Sequence, residues 1–495
     1  MIDTLRTKVH DRLEYKWIVA SVFVVGLFMD IMDTTIVNVA LPQLARDFHT
    51  STASIEWVVL GYLLSLAVWI PASGWVGDRI GTKKTFLFAL AVFTAASILC
   101  GLSQSLEQLI GFRILQGVGG GMLTPVGTAM LFRAFPPIER ARASTVLMVP
   151  AIIAPAVGPI IGGWLVTSVS WHWIFFINLP FGVAGFIFGL FFLEEHREPT
   201  AGRFDLAGFV LSGAGLALVL YGLSKGPDAG WASPVVLGTL LTGLVMFVVL
   251  AVVETRIAQP MLALRLYRER MFRNANLVLT VTYASFAGVL FLLPLMLQTL
   301  LGLTAFESGL TTFPQAVGLM MASQVAGRIY PRIGPRRLCG FGLIAVAVAT
   351  FALMAVDFGT NLWWIRGLMF VRGLSMAFAF IPMQAATYAN IQPADTGRAS
   401  ALFSTQRQVA TALGVAILAT IWETWTTHST TGTDPASLRQ GAMSGFHAGW
   451  FAASAMIVLG AISAFVMIRD ADAASTMEAR SVPLDEVEAG IALAE

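Results

Sequence analysis

Apolar runs long enough to cross a bilayer follow one another along almost the whole chain, separated by short polar segments. About 20 apolar residues span the hydrocarbon layer, and a backbone inside it must satisfy its own hydrogen bonds, so each run is expected to be a helix. The runs predict fourteen helices, at 17–41, 55–75, 85–102, 109–130, 143–166, 174–193, 206–223, 234–253, 275–301, 309–325, 338–356, 362–385, 400–422 and 446–468. Only 12% of the residues are charged, about half of what a soluble globular chain carries. The expected class is therefore an all-α membrane protein. The first run is too long for the apolar region of a cleavable signal peptide, and no small-residue cleavage site follows it.

The polar segments carry a repeat. Residues 74–84 read Gly-Trp-Val-Gly-Asp-Arg-Ile-Gly-Thr-Lys-Lys, and residues 327–337 read Gly-Arg-Ile-Tyr-Pro-Arg-Ile-Gly-Pro-Arg-Arg. Gly74, Arg79, Ile80 and Gly81 recur as Gly327, Arg332, Ile333 and Gly334 at an offset of 253, and Lys83 and Lys84 answer to Arg336 and Arg337. Gly81 and Gly334 let the chain turn sharply between antiparallel helices, and the basic residues hold the turn on the cytoplasmic side. Asp78 has no acidic counterpart, because Pro331 takes its place. A basic hairpin that only fixes topology is the alternative reading. The repeat divides the chain into an interfacial segment (1–16), a six-helix half (17–193), two inserted helices (194–253), an amphipathic linker on the inner membrane surface (254–273), a second six-helix half (274–468) and a disordered acidic tail (469–495). Residues 424–444 are expected to be a polar outer loop.

Charge placement gives the orientation. Of the 31 Lys and Arg, only Arg46, Lys225 and Arg439 fall in outer loops, and Arg113, Arg366, Arg372 and Arg407 fall inside predicted helices. The rest lie in segments on one side, which places both termini in the cytoplasm.

Ionisable groups at membrane depth are costly and are functional candidates by default. Asp30 and Asp33 project from one face of the first helix. Desolvation brings a carboxylate's protonation within physiological reach, as a proton carrier requires; alternatively Asp33, with Thr34, Thr35 and Asn38, is a hydrogen-bonding group inside the bundle. Arg113 shares a face with Gln116, Gly117 and Gly120, and it either tunes a nearby acid or neutralises one. Ala154, Gly158 and Gly162, with Pro155, Pro159 and Gly163 beside them, leave one face of the fifth helix nearly bare for close packing. The second half offers amides and bases, including Gln298, Gln315 and Arg407, so proton handling is expected in the first half. No phosphate-binding loop, no His- or Cys-rich metal motif and no nucleophile–base constellation is present in the sequence. An enzyme is not expected, and transport would draw on an ion gradient.

Taken together, the motifs resemble those of the major facilitator superfamily. Residues 74–84 are similar to its loop between helices two and three, 109–121 to its helix-four motif and 154–163 to the helix-five motif of its antiporters. Asp33-Thr-Thr-Ile-Val-Asn-Val-Ala-Leu-Pro42, Trp57, Tyr62, Phe176-Ile-Asn-Leu-Pro180, Leu297-Gln298 with Gly302, and Arg407-Gln408 resemble the fourteen-span drug:proton antiporters of the EmrB/QacA type. The resemblance implies two six-helix halves rocking about a central cavity in the cytoplasmic membrane and exporting drugs in exchange for protons. Asp33 and Arg113, with Asp30 as an additional acid, would couple protons. Gly74, Asp78, Arg79, Gly81, Lys83 and Lys84 would form a conformational gate. Gly158, Pro159, Gly162 and Gly163 would form the antiporter motif. Asn38, Trp57, Tyr62, Gln298, Gln315 and Arg407 would line the substrate path. The partners implied are membrane lipids, protons and hydrophobic or amphipathic small molecules, cations among them. No nucleic acid and no cofactor beyond the proton gradient is expected, and a monomer is the expected working unit. Export or flipping of one specific lipid, and a non-transporting receptor on the same fold, are the competing readings.

Overall fold

The computed structural model describes residues 14–50, 52–198, 202–254, 256–257, 260–432 and 434–477. Fourteen long helices lie among them. The first half comprises α1 (Tyr15–Asp47), α2 (Trp57–Ile80), α3 (Thr82–Gly101), α4 (Leu106–Ala134), α5 (Arg140–Ser168) and α6 (Asn178–Phe192). The inserted pair is α7 (Leu206–Ala229) and α8 (Pro234–Glu254), and the second half comprises α9 (Arg270–Thr299), α10 (Pro314–Ile333), α11 (Pro335–Phe351), α12 (Leu362–Thr387), α13 (Thr396–Ser429) and α14 (Pro435–Met467). Eleven candidate spans are long and apolar enough to cross a membrane. The helices that fall short, α4, α5 and α10, are rich in Gly, Pro, Gln and Thr.

The repeat is visible as packing. α1 lies on α5 as α9 lies on α13, α2 on α4 as α10 on α12, and α3 on α4 as α11 on α12. Both hairpins turn on a glycine with positive φ, +118° at Gly81 and +83° at Gly334. Each hairpin is also closed by an acid from beyond the sixth helix of its own half. Glu195 accepts from the Lys83 backbone N–H at 3.1 Å, and Asp470 from that of Arg336 at 2.9 Å. A carboxylate there satisfies an orphan N–H and complements the positive helix end.

α7 and α8 pack on each other, and α7 also touches α2 and α13, so the pair covers the seam between halves on one side. Lys225 of α7 pairs with Glu56 at 2.6 Å, and Trp231 donates to Thr420 of α13 at 2.9 Å. α8 turns Leu237, Leu241, Leu244, Val248 and Val252 outward, as a lipid-facing helix does.

The apolar side chains of the linker pack on protein: Met261, Leu262, Ala263 and Leu266 are buried, and the last three join the core of the first half. Two expectations are corrected. Residues 424–444 are mostly helix, since α13 runs to Ser429 and α14 starts at Pro435; polar residues beyond the hydrocarbon still continue a helix. The tail is ordered at its start. Residues 470–476 form a 3₁₀ turn in which Thr476 meets Tyr330 at 2.6 Å and Ser475 donates to the Ala389 carbonyl at 2.9 Å. Residues 478–495, and 1–13 of the interfacial segment, lie outside the described residues.

Candidate functional site

The centre of the first half is a closed polar network in an apolar bundle. Asp33 of α1 is fully buried, and its Oδ2 accepts from Arg113 Nη1 of α4 at 2.5 Å. Its Oδ1 accepts from Gln116 Nε2 at 2.9 Å and from Asn178 Nδ2 of α6 at 3.2 Å. Arg113, also fully buried, donates to the Val58 carbonyl at 3.0 Å and to Gln116 Oε1 at 2.7 Å, with its guanidinium carbon 4.3 Å from the Tyr62 ring centre. Such a pair is stable in lipid only because both charges are matched and most of their remaining hydrogen-bonding valences are filled.

Glycines make the assembly possible. A Cβ at Gly117 would lie 2.6 Å from the Tyr62 carbonyl, and one at Gly121 2.5 Å from that of Leu66, so α2 and α4 touch through backbone. On the other side of α1, a Cβ at Gly158 would lie 2.2 Å from Thr35 Oγ1 and one at Gly162 2.7 Å from Ile36 Cγ1. The bare face of α5 is thereby pressed against the turn that carries Asp33.

One helical turn nearer the basic end, Asp30 accepts hydrogen bonds from Tyr62 and from Thr124 Oγ1, the latter at 3.0 Å. The turns below, at Leu27 and Thr128, open onto a cavity between the halves, closed on the far side by Tyr283, Phe286, Phe380 and Arg407. The cavity measures about 50 Å³, against roughly 300–1,000 Å³ for a pocket that encloses a drug-sized ligand. A ligand of that size fits only after the halves or the aromatic side chains move.

At the basic end the halves are in contact. Asp78 accepts from Arg133 Nη2 at 3.1 Å, and a Cβ on Gly397, in the first turn of α13, would lie 2.7 Å from Asp78 Oδ1. The carboxylate thus faces the positive end of a helix from the other half. Gly74 and Gly397 allow the approach, since a Cβ on Gly74 would be 2.9 Å from the Gly397 carbonyl. Ser400 donates to the Pro125 carbonyl at 2.7 Å, Phe132 stacks on Tyr388 at 4.3 Å, and Arg140 donates to the Tyr388 carbonyl.

The family model of the Major Facilitator Superfamily matches residues 23–415. The chain belongs to the major facilitator superfamily. It is 34% identical over 406 residues to a protein of Mycobacterium tuberculosis named multidrug resistance protein B homolog, covering 81% of this chain and 75% of that one. It is 31% identical over 421 residues to the putative multidrug resistance protein MdtD of Serratia proteamaculans, covering 85% and 87%. Its fold is also similar to the solved human organic anion transporter MFSD10, with a TM-score of 0.64 at 15% identity over 91% of this chain and 99% of that one. The protein is accordingly a multi-pass membrane transporter of this superfamily rather than an enzyme.

Several residues expected at a superfamily site lie elsewhere. In the gate segment, among the contacts described, Gly74 and Asp78 reach the other half. Arg79 and Lys84 are exposed, Gly81 makes the turn, and Lys83 donates to the Leu193 carbonyl of its own half at 2.6 Å. Along the expected substrate path, Arg407 lines the cavity and Tyr62 sits behind it. Asn38 is exposed and donates to the Thr34 carbonyl of its own helix at 3.0 Å, Trp57 stacks on Tyr221 of α7 at 5.9 Å, and Gln298 is exposed near the end of α9. Gln315 is buried against Arg372. Gly163 has nothing within 4 Å of a would-be Cβ, and the side chain of Pro159 lies outside the described residues. Sequence reasoning did not assign Thr124 or Asn178 to the site, although Asn178 stands inside a quoted motif. Gln384, an amide of α12, also lines the cavity.

Proposed function

We propose that the protein is a proton-coupled exporter of hydrophobic and amphipathic compounds, a drug:proton antiporter of the fourteen-span EmrB/QacA type that works by alternating access with its basic end in the cytoplasm. The observation that carries this reading is the fully buried Asp33–Arg113 pair about two helical turns along α1 from a cavity between two pseudo-symmetric halves. A carboxylate held by a matched cation can release its partner when it takes up a proton, and the glycine contacts of α5 with α1 would carry that change to the packing of the first half. The names of the curated relatives support multidrug efflux. The contacts at the basic end make this a state closed to the cytoplasm, with Asp78 at the α13 terminus as the latch. In this reading Asp33 is the coupling carboxylate and Asp30, nearer the cavity, meets the substrate. The test is efflux of a fluorescent lipophilic cation from proteoliposomes under an imposed pH gradient, for the wild type beside Asp33→Asn and Asp30→Asn. Gradient-driven movement abolished by Asp33→Asn supports the proposal. No movement of the cation, with translocation of a lipid probe instead, would replace it by lipid export.

A further inference from the structure

The second half contains a buried cation that no acid among the described residues neutralises. Arg372 of α12 is fully buried, about ten residues from the helix end, or roughly 15 Å along the axis at 1.5 Å per residue, which is near the middle of a bilayer. Nη1 donates to Gln315 Oε1 of α10 at 2.6 Å, and Nε to Thr350 Oγ1 of α11 at 3.1 Å. Phe286 of α9 faces the guanidinium at 5.9 Å. Nη2 has no partner among the described residues. Arg113 also leaves one Nη2 free, but its charge is balanced by Asp33; Arg372 has two neutral acceptors and an aromatic face. The acids of the second half are Glu307, Asp357, Asp395, Glu423 and Asp434. Each lies in a loop, in or next to a first helical turn, or on the exposed outer part of α13, and none faces Arg372.

The space beside this group is a small cavity of about 10 Å³, walled by Arg372, Thr282, Phe286, Met376 and Phe380. That is about the size of one water-sized particle. Phe286, Met376 and Phe380 are also walls of the central cavity, so the same side chains separate the two spaces.

We propose that Arg372, with Gln315 and Thr350, is the pole of a buried monoanion site, opening toward the central cavity past Phe286, Met376 and Phe380. A fixed guanidinium desolvated this deeply is stable when a counter-charge occupies the site, and a planar donor fork suits a carboxylate or a halide. The anion is either a free inorganic ion or the carboxylate of an amphipathic molecule held in the central cavity. The inference does not rest on proton antiport, since anion binding is read at equilibrium without a gradient.

The test is thermal unfolding of the full chain in lipid nanodiscs, followed by tryptophan fluorescence. At constant ionic strength chloride is exchanged for gluconate, and in gluconate buffer octanoate is compared with octanamide. In the wild type, a saturable rise in melting temperature with chloride identifies a free ion. A rise with octanoate alone, absent with octanamide, identifies the carboxylate of an amphipathic ligand. Arg372→Gln should weaken the apparent affinity at least tenfold, whereas Arg366→Gln, on the same helix, should leave it unchanged. Gln315→Glu places a tethered carboxylate on Arg372; it should remove the anion dependence while raising the melting temperature in gluconate, which a variant that merely misfolds would not do. Absence of any anion effect in the wild type, or its survival in Arg372→Gln and Gln315→Glu, overturns the proposal.

Discussion

Asp33→Asn removes one charge from the buried pair and keeps its shape. With the charge centres about 4 Å apart and an effective permittivity of about 20, the attraction lost is about 4 kcal/mol. Breaking a buried pair from one side costs roughly 3–5 kcal/mol, because the surviving charge stays buried and unmatched. Arg113 would still donate to the Val58 carbonyl and Gln116, so the expected cost is about 3 kcal/mol, at the lower end of that range. Arg113→Gln should cost a similar amount, leaving Asp33 with Gln116 and Asn178. The double variant holds no buried charge, and its cost should fall short of the summed single costs by at least about 2 kcal/mol. The assay is denaturant unfolding of the purified variants in mixed micelles, run beside pH-gradient-driven efflux. Single costs that simply add would refute the reasoning, since the two side chains would then not be held by each other's charge. Efflux should be lost in all three variants, the double included, because repairing stability does not restore a titratable site.

Asp30→Asn should reduce transport of cationic substrates more than of neutral ones and leave gradient coupling in place, as read by substrate-dependent proton uptake; loss of coupling equal to that of Asp33→Asn would exchange the two roles. Asp78→Ala, which unlatches α13 at its first turn, should slow turnover severalfold with little change in equilibrium substrate binding; a defect confined to binding would refute the latch. Gly158→Val forces β-branched bulk onto Thr35 and should cost roughly 1–3 kcal/mol in thermal unfolding. Gly163→Ala meets open space and should be silent, so equal costs at the two positions would contradict the packing. At the outer end, burial holds the His172 imidazole below its ordinary value, with Asp47 pulling the other way. The neutral ring is therefore the folded form, and its stabilisation is complete above the ordinary value and lost as pH falls through the depressed one. His172→Gln should flatten the dependence of stability on pH between about 7 and 5, the range in which histidine titrates.

How far the sequence was legible follows from the cost each residue carries. Asp33 and Arg113 stand out because a charge inside an apolar run demands a partner, and their partnership is what the structure contains. The hairpin glycines follow from a backbone constraint that acts locally, and the positive φ values at Gly81 and Gly334 bear them out. Asn38, Trp57 and Gln298 were not legible in the same way. Helical period tells which residues share a face, but not whether that face meets the cavity, the inserted pair or an outer loop, and a polar group near a helix end costs little in any of them. The caps from Glu195 and Asp470 were illegible for a related reason: each joins positions more than a hundred residues apart through a turn that only the packed half creates. The packing of the linker was not legible because amphipathic residues among arginines fit a headgroup layer and a protein groove equally well, and only the tertiary fold brings Leu262, Ala263 and Leu266 onto the core of the first half.

The two halves share a scaffold and differ in how they hold charge, and the difference bears on mechanism. In both, an arginine sits at depth on the helix that packs most closely on the first arm of the glycine hairpin, α4 on α2 and α12 on α10. In the first half that arginine is matched by a carboxylate on α1 and wrapped by Gln116 and Asn178, so a single proton can unbalance it. In the second it is met by Gln315 and Thr350, which are neutral and do not titrate, so its charge would be balanced by an incoming anion. In the proposed antiport, protonation would act on the half that carries Asp33 and occupancy on the half that carries Arg372, and the cavity walls and the contact of Asp78 with Gly397 are where the two would be read together.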